Sequence, residues 1–449
     1  MSRNWDDTIV ALATAPGLGA LSILRISGPH AFKVLAGISP KARPENRKSH
    51  SAFVSRIYHN GELLDEALVI LFKCPASFTG EDVVEIGLHG SPYIVQEVLK
   101  ACLFAGCRLA GPGEFTQRAY LNRKLDLAQA EAVGDLITSE SQAAHRAALH
   151  QLKGNLSREI QALRQQLIDF TALVELELDF SEEDVEFADR SRLHQLVEDI
   201  TCHIEKLLKS FATGQAVKNG IPVVIAGPPN AGKSTLLNAL LEEEKAIVSP
   251  IAGTTRDVIE DKMVIEGIQF RFVDTAGLRE TNDLVESMGI ARTKEQLDKA
   301  DFVLLLQGPD SEDKDLIIIE KEIKEKGLPY LKIMTKSDLG IPSGKDGFPL
   351  SALTGEGMEE LKSEIVRRAL DRQMLHSETS LITNLRHYQA LDSTRKALEQ
   401  VKEALSAGLT GDLLATDIRE ALFHLGSITG EITVEDVLGS IFSRFCIGK

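Results

Sequence analysis

The segment that most constrains the fold is a short apolar stretch that runs directly into a glycine-rich loop. Residues 222–226 precede Gly227-Pro-Pro-Asn-Ala-Gly-Lys233-Ser234, and a helical pattern follows over residues 235–243. Strand, glycine loop and helix in this order are what a phosphate-binding loop requires. Glycines let the backbone wrap around an anion, so that N–H groups and the helix N-terminus point towards negative charge. We expect Lys233 to reach the outer phosphates of a nucleotide and Ser234 to ligate Mg²⁺.

Two further motifs follow in the order typical of a nucleotide-hydrolysing switch. Asp274-Thr-Ala-Gly277 comes after an apolar strand. Asp274 is expected to hold Mg²⁺ through water, and Gly277 to let a backbone N–H approach the γ-phosphate. Between the two motifs lies Gly253-Thr-Thr-Arg-Asp257, in which Thr255 is expected to be the second Mg²⁺ ligand and the residue that senses the γ-phosphate. A Thr pair in a loop is usually only solvated, and its place in this order favours the functional interpretation.

The choice of base depends on Asp338, which follows a strand at 330–334. A carboxylate accepts hydrogen bonds from N1–H and the amino group of guanine, whereas adenine offers no matching pair of donors. The sequence therefore predicts GTP rather than ATP, with Ser351-Ala352 supporting the base from its other side. The usual pattern is Asn-Lys-x-Asp, and here Thr335 stands in place of Asn. Because a hydroxyl offers one donor where an amide offers two, we expect weaker nucleotide affinity without loss of specificity.

The residue after Gly277 indicates how water is activated. GTPases of the Ras type have a water-orienting Gln at this position, and Leu278 cannot orient water. A carboxylate from the polar segment 279–286 is the natural candidate, and Glu286 is our choice. An exposed carboxylate is ordinarily only solubilising, so this assignment stays open from the residues alone.

The predicted nucleotide contacts come from several separate segments. They are Asn230, Ala231, Gly232, Lys233, Ser234, Thr235, Ser249, Thr254, Thr255, Asp274, Thr275, Ala276, Gly277, Thr335, Lys336, Asp338, Ser351 and Ala352.

The rest of the chain divides by its hydrophobic pattern. Strand-like stretches at 8–14, 20–26, 67–73 and 82–88 and a helix at 92–106 indicate a mixed α+β domain that ends near residue 120. Helical periodicity begins at Lys124, continues to about 212 and resumes after about 376. Thr433 and Asp436 form a capping-box spacing before the last helix.

Strands at 222–226, 269–273, 302–306 and 330–334 alternate with helices, which indicates a mostly parallel sheet. Since helical stretches flank this unit, we expect one helical domain with a nucleotide domain inserted into it. Two unrelated helical domains are the alternative. The predicted N-terminal domain comprises residues 1–120. The predicted helical domain has two parts, 121–216 and 376–449, and the inserted nucleotide domain comprises 217–375.

Composition limits the partners and the compartment. The net charge of −16 argues against the whole chain being a free-standing nucleic-acid binder, so any RNA contact must be local or shared with a partner. Five scattered cysteines without a C-x-x-C pair indicate neither a disulfide framework nor a zinc site. No signal-like start and no long apolar run is present, so we expect a soluble, cytoplasmic chain that binds neither membrane nor DNA.

Several motifs together identify a family. They are ILRISG (23–28), SFTGEDVVEI (77–86), GPGEFTQRAY-LNRKLDLAQAEAV (111–133), GPPNAGKS, GTTRD, DTAGLRE and the terminal FCIGK (445–449). The chain resembles the MnmE (TrmE) family of bacterial tRNA-modification GTPases along essentially its whole length. The resemblance implies an N-terminal α+β tetrahydrofolate-binding domain, a helical domain and an inserted Ras-like P-loop GTPase domain.

The resemblance also implies an activity and partners. With the FAD-dependent MnmG, in a heterotetramer or larger complex, members of the family add a carboxymethylaminomethyl-type group to C5 of the wobble uridine of certain tRNAs. The N-terminal domains would form a homodimer, and the two GTPase domains would approach each other when GTP is bound. Potassium replaces the arginine finger in this family. Its ligands fall on Asn230, Ser249, Ile251 and Thr254, and Glu286 matches the catalytic carboxylate.

The family's one-carbon donor is a 5-formyl- or methylene-tetrahydrofolate. By resemblance its contacts fall on Arg25, Glu85, Lys124 and Lys449, and Cys446 coincides with a cysteine suspected of catalysis. A pterin presents a donor-rich edge like that of guanine, which a Glu can accept, and the glutamate tail of folate needs cations. Without the resemblance, Arg25 and Glu85 would be ordinary charges on a strand surface.

Two other functions remain open at this point. A ribosome-assembly switch of the Era or Der type would need an RNA-binding appendage, and Gly344-Lys-Asp-Gly347 matches the loop of a KH domain. That string lies between the loops of Asp338 and Ser351, where there is no room for a separate domain. A folate enzyme whose GTPase domain is only regulatory is the other alternative.

Overall fold

The structure is a computed structural model that places the described residues around two six-stranded sheets. It describes residues 6–179, 190–245, 261–273, 294–309, 313–340, 346–369, 380–407, 411–432 and 435–448. Contacts divide the chain into two units. The first unit comprises Met1–Ile137, Gln151–Leu193 and Ala397–Lys449, and the second comprises Thr138–His150 and His194–Lys396.

The first sheet lies in the first unit and is mostly antiparallel. Its strands are β1 (Ile9–Leu12), β2 (Leu21–Ser27), β3 (Ser51–His59), β4 (Glu62–Phe72), β5 (Val83–His89) and β6 (Arg108–Leu109), in the order β3-β4-β5-β2-β1-β6. Helices α1 (Ala31–Ile38) and α2 (Pro92–Phe104) bury their apolar side chains with those of the strands in one core. The core takes alternate strand residues, because successive side chains of a strand point to opposite faces.

The sequence predicted the strands that became β1, β2, β4 and β5 and the helix α2. It missed β3, β6 and α1. In β3 the sequence SAFVSRIYH carries polar residues among the apolar ones, and only Ser55 and Ile57 are buried. Its pairing with β4 along nine residues, rather than its own pattern, makes it a strand.

In chain order, helices precede and follow the strands of the second sheet. Before that sheet they are α3 (Glu114–Leu121), α4 (Leu127–Thr138), α5 (Gln142–Leu152), α6 (Asn155–Asp179), α7 (Arg190–Lys209) and α8 (Phe211–Asn219). Within the first unit, α6 packs against a helix at Gly411–Thr429 from the far end of the chain. This packing supports the predicted insertion, while the domain bounds stay a prediction.

The second sheet is parallel except for one hairpin. Its strands are β7 (Ile221–Ala226), β8 (Asp261–Ile265), β9 (Ile268–Phe272), β10 (Phe302–Gln307), β11 (Tyr330–Thr335) and β12 (Phe348–Leu350), in the order β12-β11-β10-β7-β9-β8. Only β8 and β9 pair antiparallel. The mostly parallel sheet predicted from four apolar strands is therefore confirmed, and β8 and β12 are additions at its edges.

The central strand β10 shows why the sequences of these strands are continuous apolar runs. All six residues of β10 are buried, with Phe302, Leu304 and Leu306 in one core and Val303 and Leu305 in the other. Helices cover both faces, which is the usual condition of a parallel sheet. They are α9 (Lys233–Lys245) and α11 (Met358–Ala369) on one face and α10 (Asp313–Glu325) on the other.

The C-terminal helices agree with the predicted periodicity. They are α12 (Leu385–Ser406), α13 (Gly411–Thr429) and α14 (Glu435–Phe442). Thr433 of the predicted capping box lies outside the described residues. In the part of the chain that the structure describes, no helix combines the length and the apolar character needed to cross a membrane.

A partly buried charge network ties the start of the first unit to α3. The guanidinium of Arg118, which is 1% exposed, donates to Asp7 Oδ1 at 2.5 Å, to Glu81 Oε1 at 3.0 Å and to Glu114 Oε1 at 3.1 Å. Arg108 donates to both oxygens of Glu114 and to Asp7. Because buried charges are stable only when they are paired, this cluster should act as one unit.

Glu114 should make the stability of the first unit depend on acid. Burial raises the pKa of Glu114, but hydrogen bonds from Arg108, the Gly111 amide and Arg118 outweigh it and lower the pKa from 4.5 to about 2. A lowered pKa in the folded state means that the stabilisation is complete above pH 4.5 and is lost as pH falls towards 2. We expect Glu114→Gln to destabilise by about 3–5 kcal/mol and to remove this acid dependence, measured by calorimetry at several pH values.

Glu364 provides the matched control. Hydrogen bonds from Arg367 and Arg368 lower its pKa to about 2 as well, yet both partners are exposed on the surface of α11. Surface pairs of this kind contribute only about 0.3–0.5 kcal/mol, so Glu364→Gln should change little. Equal destabilisation by the two substitutions would contradict the importance assigned to burial.

Candidate functional site

The loop between β7 and α9 is shaped to surround an anion. Gly227 has a φ of +155°, and a Cβ there would lie 2.5 Å from the carbonyl oxygen of Leu306. Asn230 and Gly232 also have positive φ, at +61° and +88°, and α9 begins at Lys233. Alternation of right- and left-handed residues turns successive N–H groups to one side, which is the geometry of phosphate-binding nests. The loop predicted from sequence therefore has a conformation suited to phosphate.

The Lys233 side chain folds back over this loop. Its Nζ donates to the carbonyl oxygens of Gly227 at 2.9 Å and Pro228 at 2.8 Å. Burial lowers the pKa of Lys233, so the ammonium lacks part of its hydration. A phosphate oxygen at the mouth of the loop would supply the negative charge that this partly buried cation lacks.

A hydrogen bond joins the phosphate loop to the end of β11. The Thr335 hydroxyl is buried and donates to the carbonyl oxygen of Ala231 at 2.8 Å. The carboxyl ends of β7, β10 and β11 meet at the same edge, where ligands bind in open parallel sheets. Thr335 thus holds the two predicted loops together with its single hydrogen. No second donor is left for the base, and the weaker affinity expected from this residue stays a prediction.

The residues predicted to recognise the base come together after Thr335, beyond the end of β11. Lys336 has a left-handed φ of +60°, and Asp338 lies exposed in a 3-10 turn at Ser337–Leu339. The buried Ser351 donates through Oγ to Asp338 Oδ1 at 2.7 Å, and Ala352 follows it. The Asp338 carboxylate is therefore oriented from one side and open to a base on the other.

The structure brings some predicted residues together and leaves others outside the described residues. The described residues of the predicted nucleotide site lie at or after the ends of strands β7, β11 and β12. They are Asn230, Ala231, Gly232, Lys233, Ser234, Thr235, Thr335, Lys336, Asp338, Ser351 and Ala352. Outside the described residues lie Ser249, Ile251, Thr254, Thr255, Asp274, Thr275, Ala276, Gly277, Leu278 and Glu286. The strand β9 that leads to Asp274 is described, and the Val273 amide donates to the Val223 carbonyl of β7 at 3.0 Å.

The residues assigned to folate by resemblance begin with a pair on adjacent strands. Arg25 of β2 and Glu85 of β5 are register partners, and Arg25 Nε donates to Glu85 Oε1 at 2.9 Å. Both side chains are about one-fifth exposed, at 23% and 21%. Among the residues that the structure describes, Oε2 of Glu85 has no partner, so it can accept a donor from a ligand.

Two aromatic rings that the sequence reasoning missed lie beside this pair. The Arg25 guanidinium carbon is 5.8 Å from the ring centre of Phe78 and 5.7 Å from that of Phe115. Both rings occur in motifs quoted above, SFTGEDVVEI and GPGEFTQRAY, and an aromatic residue beside a site for a flat ring is the signal that could have found them.

Lys124 and the end of the chain border the same part of the first unit. Lys124 Nζ donates to the Pro75 carbonyl at 3.1 Å, in the loop that carries Phe78. Gly448 packs on the Leu12 carbonyl at the end of β1, and Ile447 forms a bridge with Pro112. Cys446 is a free, exposed thiol, and Lys449 lies outside the described residues.

Comparison with known proteins gives matches along the whole chain. The family model of the GTP-binding protein TrmE N-terminus matches residues 8–124, and that of the MnmE helical domain matches residues 127–446. The fold class predicted from sequence, an N-terminal α+β domain, a helical domain and a Ras-like GTPase domain, is thereby confirmed.

Full-length relatives carry the name tRNA modification GTPase MnmE. The protein from Cytophaga hutchinsonii is 50% identical over 99% of this chain and 98% of its own length. That from Christiangramia forsetii is 48% identical over 99% of both chains. A solved structure of Era with MgGDPNP and 16S ribosomal RNA matches 39% of this chain at 28% identity and a TM-score of 0.26, too low to carry weight. The chain is therefore a GTPase that belongs to the MnmE (TrmE) family of tRNA modification GTPases.

Proposed function

We propose that this chain binds and hydrolyses GTP at the edge of its second sheet as one step of a tRNA modification. With the FAD-dependent partner MnmG, the product would be a carboxymethylaminomethyl-type group at C5 of the wobble uridine. The observation that carries the nucleotide part is the Thr335 hydrogen bond to Ala231, which fixes the phosphate loop and the base loop in one site. The tRNA part rests on the names of the full-length relatives.

Hydrolysis of GTP needs two contributions from the protein: groups that bind the charged phosphates with Mg²⁺, and a group that orients the attacking water. The amides of the phosphate loop and Lys233 would hold the phosphates, while Ser234, with Thr255 and with Asp274 through water, would hold Mg²⁺. Mg²⁺ fits because Ser234 lies in the first turn of α9, directly after Lys233, where a hydroxyl can meet a metal on the outer phosphates. Ras-type GTPases orient the attacking water with a Gln at the position of Leu278, and here Glu286 would take that role.

K⁺ would act beside the same phosphates. Asn230 is exposed at the outer turn of the loop, so its side-chain oxygen can ligate a cation there. Ser249, Ile251 and Thr254 would complete the coordination. A monovalent cation at this point would neutralise the charge that builds up between the β- and γ-phosphates.

A folate would bind the first unit beside Arg25. The free oxygen of Glu85 can accept from the donor edge of a pterin, and the exposed ring of Phe78 can cover one of its faces, while the buried ring of Phe115 lies beside the Arg25 guanidinium. Lys124 and Lys449 would pair with the carboxylates of the tail. The group would supply the one-carbon unit, while these residues bind and orient it. Cys446 stays a candidate for a role in this chemistry.

The homodimer would use the face of the first sheet that α1 and α2 leave open. Val54, Leu68 and Leu21 are 64%, 47% and 57% exposed on strands β3, β4 and β2. Val54 is opposite Leu68, and the next strand places Gly87 opposite Leu68, so the apolar side chains form one continuous surface. Exposed apolar patches of this kind mark interfaces between proteins.

The alternatives fit less well. An Era- or Der-type switch is not favoured, because this chain matches relatives named tRNA modification GTPase over 98–99% of their length. A folate enzyme with a merely regulatory GTPase is partly contained in the proposal. The two differ in whether the wobble base is modified only when partner, folate and GTP hydrolysis are all present.

Asp338→Asn should abolish the preference for guanine. We expect GTP affinity to fall about 10–100-fold, because hydrogen bonds to a charged acceptor contribute about 1.5–3 kcal/mol. Affinity for xanthosine triphosphate should rise, since its C2 carbonyl can accept from the new amide. Equilibrium binding of both nucleotides measures this, with Asp346→Asn as an exposed control. Retained GTP binding without gain for the xanthine nucleotide would remove the assignment of this loop.

GTP hydrolysis should be much faster in K⁺ than in Na⁺. An arginine finger contributes about 10³–10⁵ in rate, and a cation in its place should give at least a tenfold difference between the two salts. Asn230→Gly should remove the difference while GTP binding persists, because Gly tolerates the φ of +61° at this position. Pro229→Ala is the control at the exposed neighbour. Steady-state rates that are equal in K⁺ and Na⁺ would exclude K⁺ from the mechanism.

Mass spectrometry of tRNA nucleosides tests the modification itself. In a strain lacking the gene, the C5 group should be missing from wobble uridine, and the unsubstituted chain should restore it. Glu85→Gln should fail to restore it although GTP hydrolysis is normal, whereas Glu62→Gln, an exposed carboxylate on β4, should restore it. An unchanged wobble nucleoside in the deletion strain would refute the proposed modification.

A further inference from the structure

The connection between α1 and β3 concentrates positive charge in an acidic chain. Residues 41–50 contain four Lys or Arg and one Glu, whereas the whole chain has 50 Lys or Arg and 66 Asp or Glu. We call these residues the basic loop. Lys41, Arg43 and Lys48 are exposed, as is His50. Any polyanion that approaches this acidic protein would meet repulsion over most of the surface and attraction here.

The cations of the basic loop are not neutralised by neighbouring carboxylates. Elsewhere in the first unit, Arg25, Arg56 and Lys100 pair with Glu85, Glu66 and Glu97. Within the described ranges, Lys41, Arg43, Arg47 and Lys48 form no ion pair. Their charge is therefore available to an outside partner.

The basic loop has a fixed conformation. Arg47 Nε donates to the Ala42 carbonyl at 2.8 Å, Ser51 Oγ donates to the Lys48 carbonyl at 2.7 Å, and the His50 amide donates to the Leu71 carbonyl of β4 at 2.7 Å. A 3-10 turn at Pro44–Asn46 lies between them. Because the backbone is already ordered, binding through this loop would not have to order it first.

Lys73 extends the charge to the neighbouring strand end. Its amide donates to Ser49 Oγ at 2.9 Å, and its Nζ donates to the Glu45 carbonyl at 3.3 Å. The cations therefore come from two separate segments of chain and form one surface. Lys73 thus contacts the backbone of Glu45, the only acidic residue in the loop.

An aromatic residue accompanies the charge. The guanidinium carbon of Arg47 lies 3.5 Å from the centre of the Phe53 ring, so the guanidinium is stacked on it. A stacked guanidinium keeps its outer face for a base and its edge N–H groups for phosphate. This combination is typical of RNA contacts rather than of solvated surface lysines.

We propose that the basic loop, with Lys73, binds the phosphate backbone of tRNA. The inference rests on the proposed function, since the names of the relatives supply tRNA as the polyanion. It also meets the condition set by the net charge of −16, that an RNA contact on this chain must be local. A lipid surface is disfavoured, because Ala42 and Pro44, the apolar residues of the loop, are both buried and offer no anchor.

The test is the salt dependence of tRNA binding by the full chain. The variant K41Q/R43Q/K48Q removes three exposed cations whose side chains make no hydrogen bond or ion pair within the described residues. Each phosphate contact contributes about 0.7–0.9 to the slope of log K against log salt, so the slope should fall by about 2 between about 50 and 200 mM salt. We expect affinity to fall at least about tenfold at the lower salt concentration.

The control is K321Q/K324Q/K396Q, which changes the net charge equally at exposed lysines that pair with Glu325, Glu320 and Asp392. It should bind tRNA like the unsubstituted chain, and both variants should keep their melting temperature and GTP hydrolysis rate. If K41Q/R43Q/K48Q keeps the affinity and slope of the control, the inference is wrong. Loss of MnmG binding with tRNA binding intact would assign the loop to an acidic protein surface and also overturn it. No tRNA binding by the unsubstituted chain would also overturn the inference, whereas the proposed function is tested separately by the mass spectrometry of wobble nucleosides.

Discussion

The hydrogen bond from Thr335 to the Ala231 carbonyl joins the two halves of the nucleotide site. One half is the predicted phosphate loop with Lys233, and the other carries Asp338, which is predicted to bind the base. The two loops follow different strands, β7 and β11, with β10 between them. A parallel sheet brings them to the same edge, and the buried hydroxyl fixes their separation. A ligand that bridges both loops therefore meets a site that is already assembled, which reduces the cost of binding.

Thr335 also shows how one substitution separates structure from recognition. In the usual motif an amide stands here, with two N–H donors. The hydroxyl has one, and it is used within the protein at 2.8 Å. The hydroxyl keeps the two loops joined, and we predict that a contact with the base is lost. We expect base choice to depend on Asp338, whose Oδ1 accepts a hydrogen bond from Ser351.

Charge is arranged in two contrasting ways in the first unit. Around Arg118, three carboxylates and a second arginine pair with one another, with Arg118 and Glu114 fully buried and Asp7 and Arg108 partly exposed, and the result is rigidity. In the basic loop, three exposed cations and the stacked Arg47 form no ion pair with the carboxylates that the structure describes, and we propose that they attract an anion. Arg25 and Glu85 lie between these extremes, since they pair with each other and still leave one carboxylate oxygen for a ligand. The same residue types thus stand in three different surroundings, and the roles proposed for the basic loop and for the Arg25–Glu85 pair follow from those differences.

The sequence by itself determined the phosphate loop, the order of the GTPase motifs, the parallel sheet and the family. These features are local: glycines at fixed spacing, apolar runs bounded by turns, and motifs of consecutive residues. Only the tertiary structure decided which distant residues meet. Phe78 and Phe115 reach Arg25 from separate segments, Ser351 reaches Asp338 across a loop, and β3 becomes a strand because β4 offers it a partner. The basic run at 41–50 is visible in the sequence, but only the structure shows that its cations form no ion pair within the described residues and that Lys73 joins them from another segment. Contacts of this kind link residues far apart in the chain, and no local pattern encodes them.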